Sequence, residues 1–263
     1  MDIAGRSIIV TGGANGIGEA MAVRFGASGA ALVIVADLDE PGARRVADAV
    51  NAKGGRAVAR CCNVAVEAEI QALVALALSE AGRIDLFCSN AGIIVEGGPE
   101  APDADWTRAW QVNVMAHIYA SRAALPAMLK QGGGYFLNTC SAAGLLTSLG
   151  AAPYAVSKHA AVAFSEWLAI TYGDRGIKVS ALCPQAVRTK MVADSMGGSA
   201  GNAVKSAGRI IEADVVASQV VDALAAERFL ILTHEETAEF MQRKATNTDR
   251  WLAGMRKFLA SQS

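Results

Sequence analysis

Short runs of β-branched and other apolar residues alternate along the chain with longer stretches whose apolar positions recur at helical spacing. The runs Ser7–Val10, Ala31–Ala36, Arg56–Cys62, Ile84–Cys88, Gly134–Thr139, Ile177–Cys183 and Phe229–Leu232 predict strands. The stretches Glu19–Ala27, Gly42–Ala52, Glu67–Ala81, Asp103–Gln131, Tyr154–Tyr172 and Ala213–Ala226 predict helices. Most of the strand runs are apolar throughout and do not alternate, which marks strands buried on both faces of a parallel sheet. Regular strand–helix alternation predicts an α/β, doubly wound parallel sheet in one domain over residues 1–263. The strand C-terminal ends then share one edge, where ligands bind.

Two segments depart from this rhythm. Residues Met191–Arg209 are small, Gly-rich and polar and follow a strand end. A long insertion there predicts a lid over the substrate, with a plain surface loop as the alternative. From Glu235 to Leu259, aromatic and basic residues mix. This predicts a helix packed on the body or at a subunit interface, since acidic residues interrupt any membrane-surface face.

Composition narrows the function classes. Of 263 residues, 52% are hydrophobic and 19% charged, with a net charge of −1. Disorder needs the opposite balance. No basic excess exists to neutralise nucleic-acid phosphates, and no apolar run approaches the roughly 20 residues of a membrane span. The first residues show no basic stretch leading into an apolar one, so no signal peptide is expected. The five cysteines lack metal-ligand spacing and predict buried thiols in a reducing cytoplasm. His117, His159 and His234 form no metal motif, and Trp106 and Trp110 share a helix face as expected packing anchors.

Candidate chemistry clusters after the strands. The first strand leads into Thr11-Gly-Gly-Ala-Asn-Gly-Ile-Gly18 and then a helix. Gly12, Gly16 and Gly18 allow a tight turn that brings backbone close to a pyrophosphate at a helix N-terminus. A bare structural turn is the alternative. Asp37 ends the next strand, where a carboxylate accepts from ribose hydroxyls and repels a 2′-phosphate. NAD is therefore expected in preference to NADP. Asn63 is placed to accept from an adenine amino group. Ala91 and Gly92 are small enough for a ribose to lie against the backbone.

Tyr154 and Lys158 stand one helical turn apart after Pro153. A phenol serves as a base at neutral pH only if its pKa falls, and a nearby ammonium acts in that direction. A surface Tyr–Lys pair is the alternative. Ser141 follows the fifth strand, where its hydroxyl can hold a substrate oxygen against Tyr154. Asn113 lies inside the long 103–131 helix. Its functional reading has it interrupt that helix and bind a water leading to Lys158.

Taken together, these motifs resemble the short-chain dehydrogenase/reductase family: TGGANGIG at 11–18, Asp37, SNAG at 89–92, Asn113, Ser141 and YAVSK at 154–158. The resemblance implies a catalytic tetrad of Asn113, Ser141, Tyr154 and Lys158. It implies that Gly12, Asn15, Gly16, Ile17, Gly18, Asp37, Asn63, Val64, Asn90, Ala91 and Gly92 line the cofactor. Tyr154 and Lys158 would meet its nicotinamide end, and Pro184, Val187 and Thr189 would hold the carboxamide. It also implies seven parallel strands and a homotetramer or homodimer paired through helices near 103–131 and 154–172. The expected activity is NAD-dependent interconversion of a secondary alcohol and a ketone. A catalytically inactive dinucleotide-binding sensor or scaffold is the alternative. Two positions depart from the family pattern. Asn63 stands where Asp is frequent, and Gln185 stands where Gly is common, so its side chain is expected to crowd the nicotinamide or reach the substrate. Expected substrate contacts are 93–98, 142–149, 185–188 and the 191–209 lid. They are mostly apolar and suggest a small hydrophobic alcohol or ketone.

Overall fold

The computed structural model describes residues 1–195 and 209–261. Most of the lid expected at 191–209 thus lies outside the described residues. The strands β1 (Ser7–Thr11), β2 (Leu32–Asp37), β3 (Ala57–Cys61), β4 (Leu86–Ser89), β5 (Gly134–Thr139), β6 (Ile177–Cys183) and β9 (Leu230–Leu232) form one parallel sheet in the order β3-β2-β1-β4-β5-β6-β9. A second, two-residue pair joins β7 (Val187–Arg188) to β8 (Ile211–Glu212).

Alternate residues along each strand enter different cores, which explains the continuously apolar runs. Ile8, Val10, Val33, Val35, Leu86 and Cys88 face one side. There α1 (Gly16–Ala27), α2 (Glu40–Asn51) and α8 (Ala213–Ala225) pack over them. Ile9, Leu32, Ile34, Ala36 and Phe87 face the other. There they meet α3 (Glu67–Ala81), α5 (Ala116–Lys130) and α6 (Ala152–Tyr172). A strand with two apolar faces needs a helix layer on each side, so the fold follows from the absence of alternation.

The expected helix 103–131 is three pieces: α4 (Asp103–Trp110), a π-helical turn over Gln111–Met115, and α5. The C-terminal stretch is two helices, α9 (Glu236–Thr246) and α10 (Thr248–Ala260). Asn247 separates them, its extended backbone and side chain capping Arg250 N at 2.9 Å. A short helix α7 (Lys190–Ser195) follows β7. Among the described residues no helix is long and apolar enough to cross a membrane, and no group of metal-ligating side chains assembles. Four cysteines are buried as expected, but Cys61 is exposed because β3 is the sheet edge.

Candidate active site

The strand order reverses direction between β1 and β4, so their C-terminal ends border a crevice. The glycine turn after β1 and the Asn90-Ala91-Gly92 segment after β4 meet there. Gly12 has φ +63°, and a Cβ on it would stand 2.8 Å from Ala91 Cα. Only glycine permits both that conformation and that approach. Asn90 Nδ2 donates to Thr11 O and Gly12 O at 3.1 and 3.2 Å, and Asn90 Oδ1 accepts from Thr139 Oγ1 at 3.0 Å. Asn90 is thus a clasp across three strand ends. Thr11, which the sequence did not single out, donates to Cys88 O and accepts from Asn90 N and Ala91 N.

The turn opens into α1, whose N-cap Asn15 makes no side-chain cap. The first amides of α1 therefore have no side-chain partner there. Ile17 is partly buried against the core, and Gly18 is buried beneath the turn. Asp37 Oδ2 accepts from Ala14 N and Oδ1 from Asp39 N, both at 3.0 Å. Each oxygen retains a lone pair at the strand end. Arg45, the cation beside this corner, is committed to both oxygens of Glu19 and to Ala14 O. Asn63 Oδ1 accepts from Ala65 N at 3.0 Å, and Val64 is buried.

Across the crevice, Lys158 is buried and its Nζ donates to Thr139 O at 2.9 Å. The same Nζ lies 5.8 Å from the centre of the Tyr154 ring. Burial holds the Lys158 pKa below its ordinary value. Burial also raises the Tyr154 pKa, opposed by the Ser141 hydroxyl. Desolvation thus disfavours both charges, and the Tyr154 pKa stands above its ordinary value where the sequence leads one to expect a fall, because burial outweighs the bond to Ser141. Ser141 has φ +90°, an unusual conformation for a side-chain-bearing residue. Its Oγ accepts from Ala143 N at 3.1 Å, which aims the hydroxyl within its turn.

The π-helical turn carries Asn113, which is fully buried. Its Oδ1 accepts from Ile93 N at 2.9 Å, and its Nδ2 donates to Ile93 O and Ser157 Oγ at 2.9 and 3.0 Å. Both amide hydrogens are therefore spent. A Cβ on Gly92 would lie 3.2 Å from both Asn113 Oδ1 and Lys158 Nζ. The missing Cβ leaves space bordered by an acceptor and a cation.

Pro184 O accepts from Ala142 N at 2.8 Å, linking the loops after β5 and β6. Val187 is buried, and the Thr189 methyl would stand 2.9 Å from a Cβ on Gly16. Thr189 therefore closes down on the glycine turn. Gln185 Nε2 donates to Thr237 Oγ1 at 2.6 Å, which ties its amide to α9. Thr237 is fully buried and its hydroxyl needs a partner. Trp110 departs from the expected packing anchor: it is 43% exposed.

These glycine cradles, the free Asp37 lone pairs and the buried cation fit a dinucleotide. An open hollow on α2 is lined by Glu40, Pro41, Arg44, Arg45 and Asp48 and borders none of Asn113, Ser141, Tyr154 and Lys158.

Residues 6–198 match the short chain dehydrogenase family. The 7α-hydroxysteroid dehydrogenase of Escherichia coli strain K12 is 35% identical over 70% of this chain and 72% of that protein. The cyclohexanol dehydrogenase of an Acinetobacter species is 32% identical over 71% of this chain and 74% of its own length. A short chain dehydrogenase/reductase from Burkholderia phymatum, solved in complex with NAD, superposes with a TM-score of 0.86. It is 28% identical over 95% of this chain and 96% of that one. With the match spanning most of the sheet and the whole crevice, the chain belongs to the short-chain dehydrogenase family of oxidoreductases.

Proposed function

We propose that this protein is an NAD-dependent oxidoreductase that interconverts a secondary alcohol and a ketone. The observation that carries the proposal is the convergence of Tyr154, Lys158, Ser141 and Asn113 beside a glycine turn at the switch point of the sheet. When bound, the nicotinamide ring would accept or return the hydride. In the oxidation direction, Ser141 donates to the substrate oxygen and orients it. Tyr154, as phenolate, takes the hydroxyl proton. Lys158 favours that phenolate electrostatically and is positioned by Thr139 O. A water beside Gly92 would connect Lys158 to Asn113. Since both Asn113 amide hydrogens are used, such a water meets an Asn113 oxygen. Gly12, Asn15, Gly16, Ile17 and Gly18 seat the pyrophosphate, Asn63 and Val64 border the adenine, and Pro184, Val187 and Thr189 hold the carboxamide.

Asp37 supports NAD over NADP, because its carboxylate repels a 2′-phosphate and Arg45 is already paired with Glu19. The apolar residues near Ser141 and Ile93 support a hydrophobic substrate. Two of the named relatives act, by name, on an alcohol borne on a ring. The same reading pairs chains through 103–131 and 154–172, supported by exposed apolar residues on α4 and α6.

The test is Tyr154→Phe, assayed with a panel of cyclic secondary alcohols against NAD and NADP. Binding of NAD should persist while turnover falls by at least about a hundredfold. Near-normal turnover would remove Tyr154 from its role. Wild type that binds NAD but oxidises no alcohol and reduces no ketone would favour a sensor.

A further inference from the structure

Helix α9 makes two hydrogen bonds that straddle the reaction centre. Gln185, in the loop after β6, donates from Nε2 to the buried Thr237 Oγ1 at 2.6 Å. Lys244 donates from Nζ to Leu145 O at 2.6 Å, in the turn that Ser141 opens. Positions 237 and 244 lie two helical turns apart and so share one face of α9. The loops they grip also grip each other, through Ala142 N to Pro184 O at 2.8 Å. Between them stands Ser141 with its left-handed backbone, a conformation that persists only where the surroundings hold it. Helix α9 comes from chain beyond residue 198, where the family match ends.

We propose that α9 is a strut that fixes the spacing of these two loops, and through it the reach of the Ser141 hydroxyl. Gln185, Thr237 and Lys244 are positioning residues that tune which alcohol or ketone is accepted. This rests on the reading that Ser141 holds the substrate oxygen. Gln185 stands where the resemblance to the family leads one to expect glycine, and its amide supplies one of the two bonds that hold α9. A reacting group displaced by a fraction of an ångström loses rate without losing its cofactor.

The experiment compares Thr237→Val, Lys244→Met and Gln185→Met with the conservative Thr237→Ser. NAD affinity should stay within twofold in all four. For Thr237→Val, Lys244→Met and Gln185→Met, kcat/KM for the alcohol should fall about tenfold, roughly the worth of one such hydrogen bond. The order of preference across alcohols of graded size should change. Thr237→Ser should restore both. Hydrogen exchange supplies an arm independent of activity: Thr237→Val should hasten exchange at 143–146, a loop with which it shares no hydrogen bond among the described residues, and Lys244→Met at 185–189. Exchange unchanged in the untouched loop overturns the strut. Faster exchange in these variants, with a wild type that oxidises none of the panel, would keep the strut and sink the alcohol reading instead.

Discussion

His117 shows how one buried residue acquires a chemical character the sequence conceals. It sits one turn beyond Asn113, 1% exposed, with neither ring nitrogen hydrogen-bonded among the described residues. Burial first, and the Lys158 charge second, lower its pKa to about 3. The folded protein therefore keeps this imidazole neutral. Below the unfolded value of 6.5 the unfolded chain binds a proton that the folded one refuses. The stability contributed by His117 is thus whole above pH 6.5 and declines as pH falls toward 3. Between pH 6.5 and 5, the wild type should lose about 1.5 kcal/mol more than His117→Leu. Urea unfolding at the two pH values reads this difference, and parallel losses would show that His117 titrates normally. The sequence set this residue aside because lone histidines lack a motif. Its character comes from neighbours distant along the chain.

At the scale of elements, the π-helical turn decides how Asn113 works. The spacing predicted one helix over 103–131, with Asn113 as a possible interruption. The structure widens the turn at Gln111–Met115 and swings Asn113 onto the backbone of Ile93. Asn113→Ala would leave the Ile93 N–H and C=O unpaired. It should cost about 2–3 kcal/mol in urea unfolding and lower turnover, with NAD binding retained. A loss below 0.5 kcal/mol would mean that water replaces the side chain freely. The strands were legible because apolar runs buried on both faces admit one architecture. Tyr154, Lys158 and Ser141 stood out as candidates because the first two share a helix turn and Ser141 adjoins a strand end, whereas Asn113 lies in mid-helix. Three features were not legible. The β7–β8 pair is too short to leave a pattern. The break at Asn247 rests on a single cap. The direction of Gln185 depends on Thr237, more than fifty positions later. Thr139 and Ser157 also escaped notice, since their roles depend on their neighbours' side chains.

At the scale of the whole molecule, α6 presents an apolar stripe outward. Val156, Trp167 and Ile170 are 50%, 53% and 83% exposed, and lie on one helix face. Trp110 on the adjoining α4 extends the patch. Such a stripe is costly to leave wet and marks an association surface. In the proposed dimer or tetramer, these side chains meet their copies across a two-fold axis. Light scattering should give a mass of two or four chains for the wild type and one for Trp167→Glu/Ile170→Glu. A monomeric wild type would refute the assignment.

The Asn90 clasp carries a consequence for the order of events. From the glycine turn, bonds run through the Asn90 amide to the Thr139 hydroxyl, and from the carbonyl of the same threonine to the Lys158 ammonium. Under the proposed function, a dinucleotide seated on that turn would load one end of this tether and steady the Lys158 ammonium at the other. In the proposed reaction an alcohol arriving first would meet a centre not yet braced, so that reading expects the dinucleotide to lead.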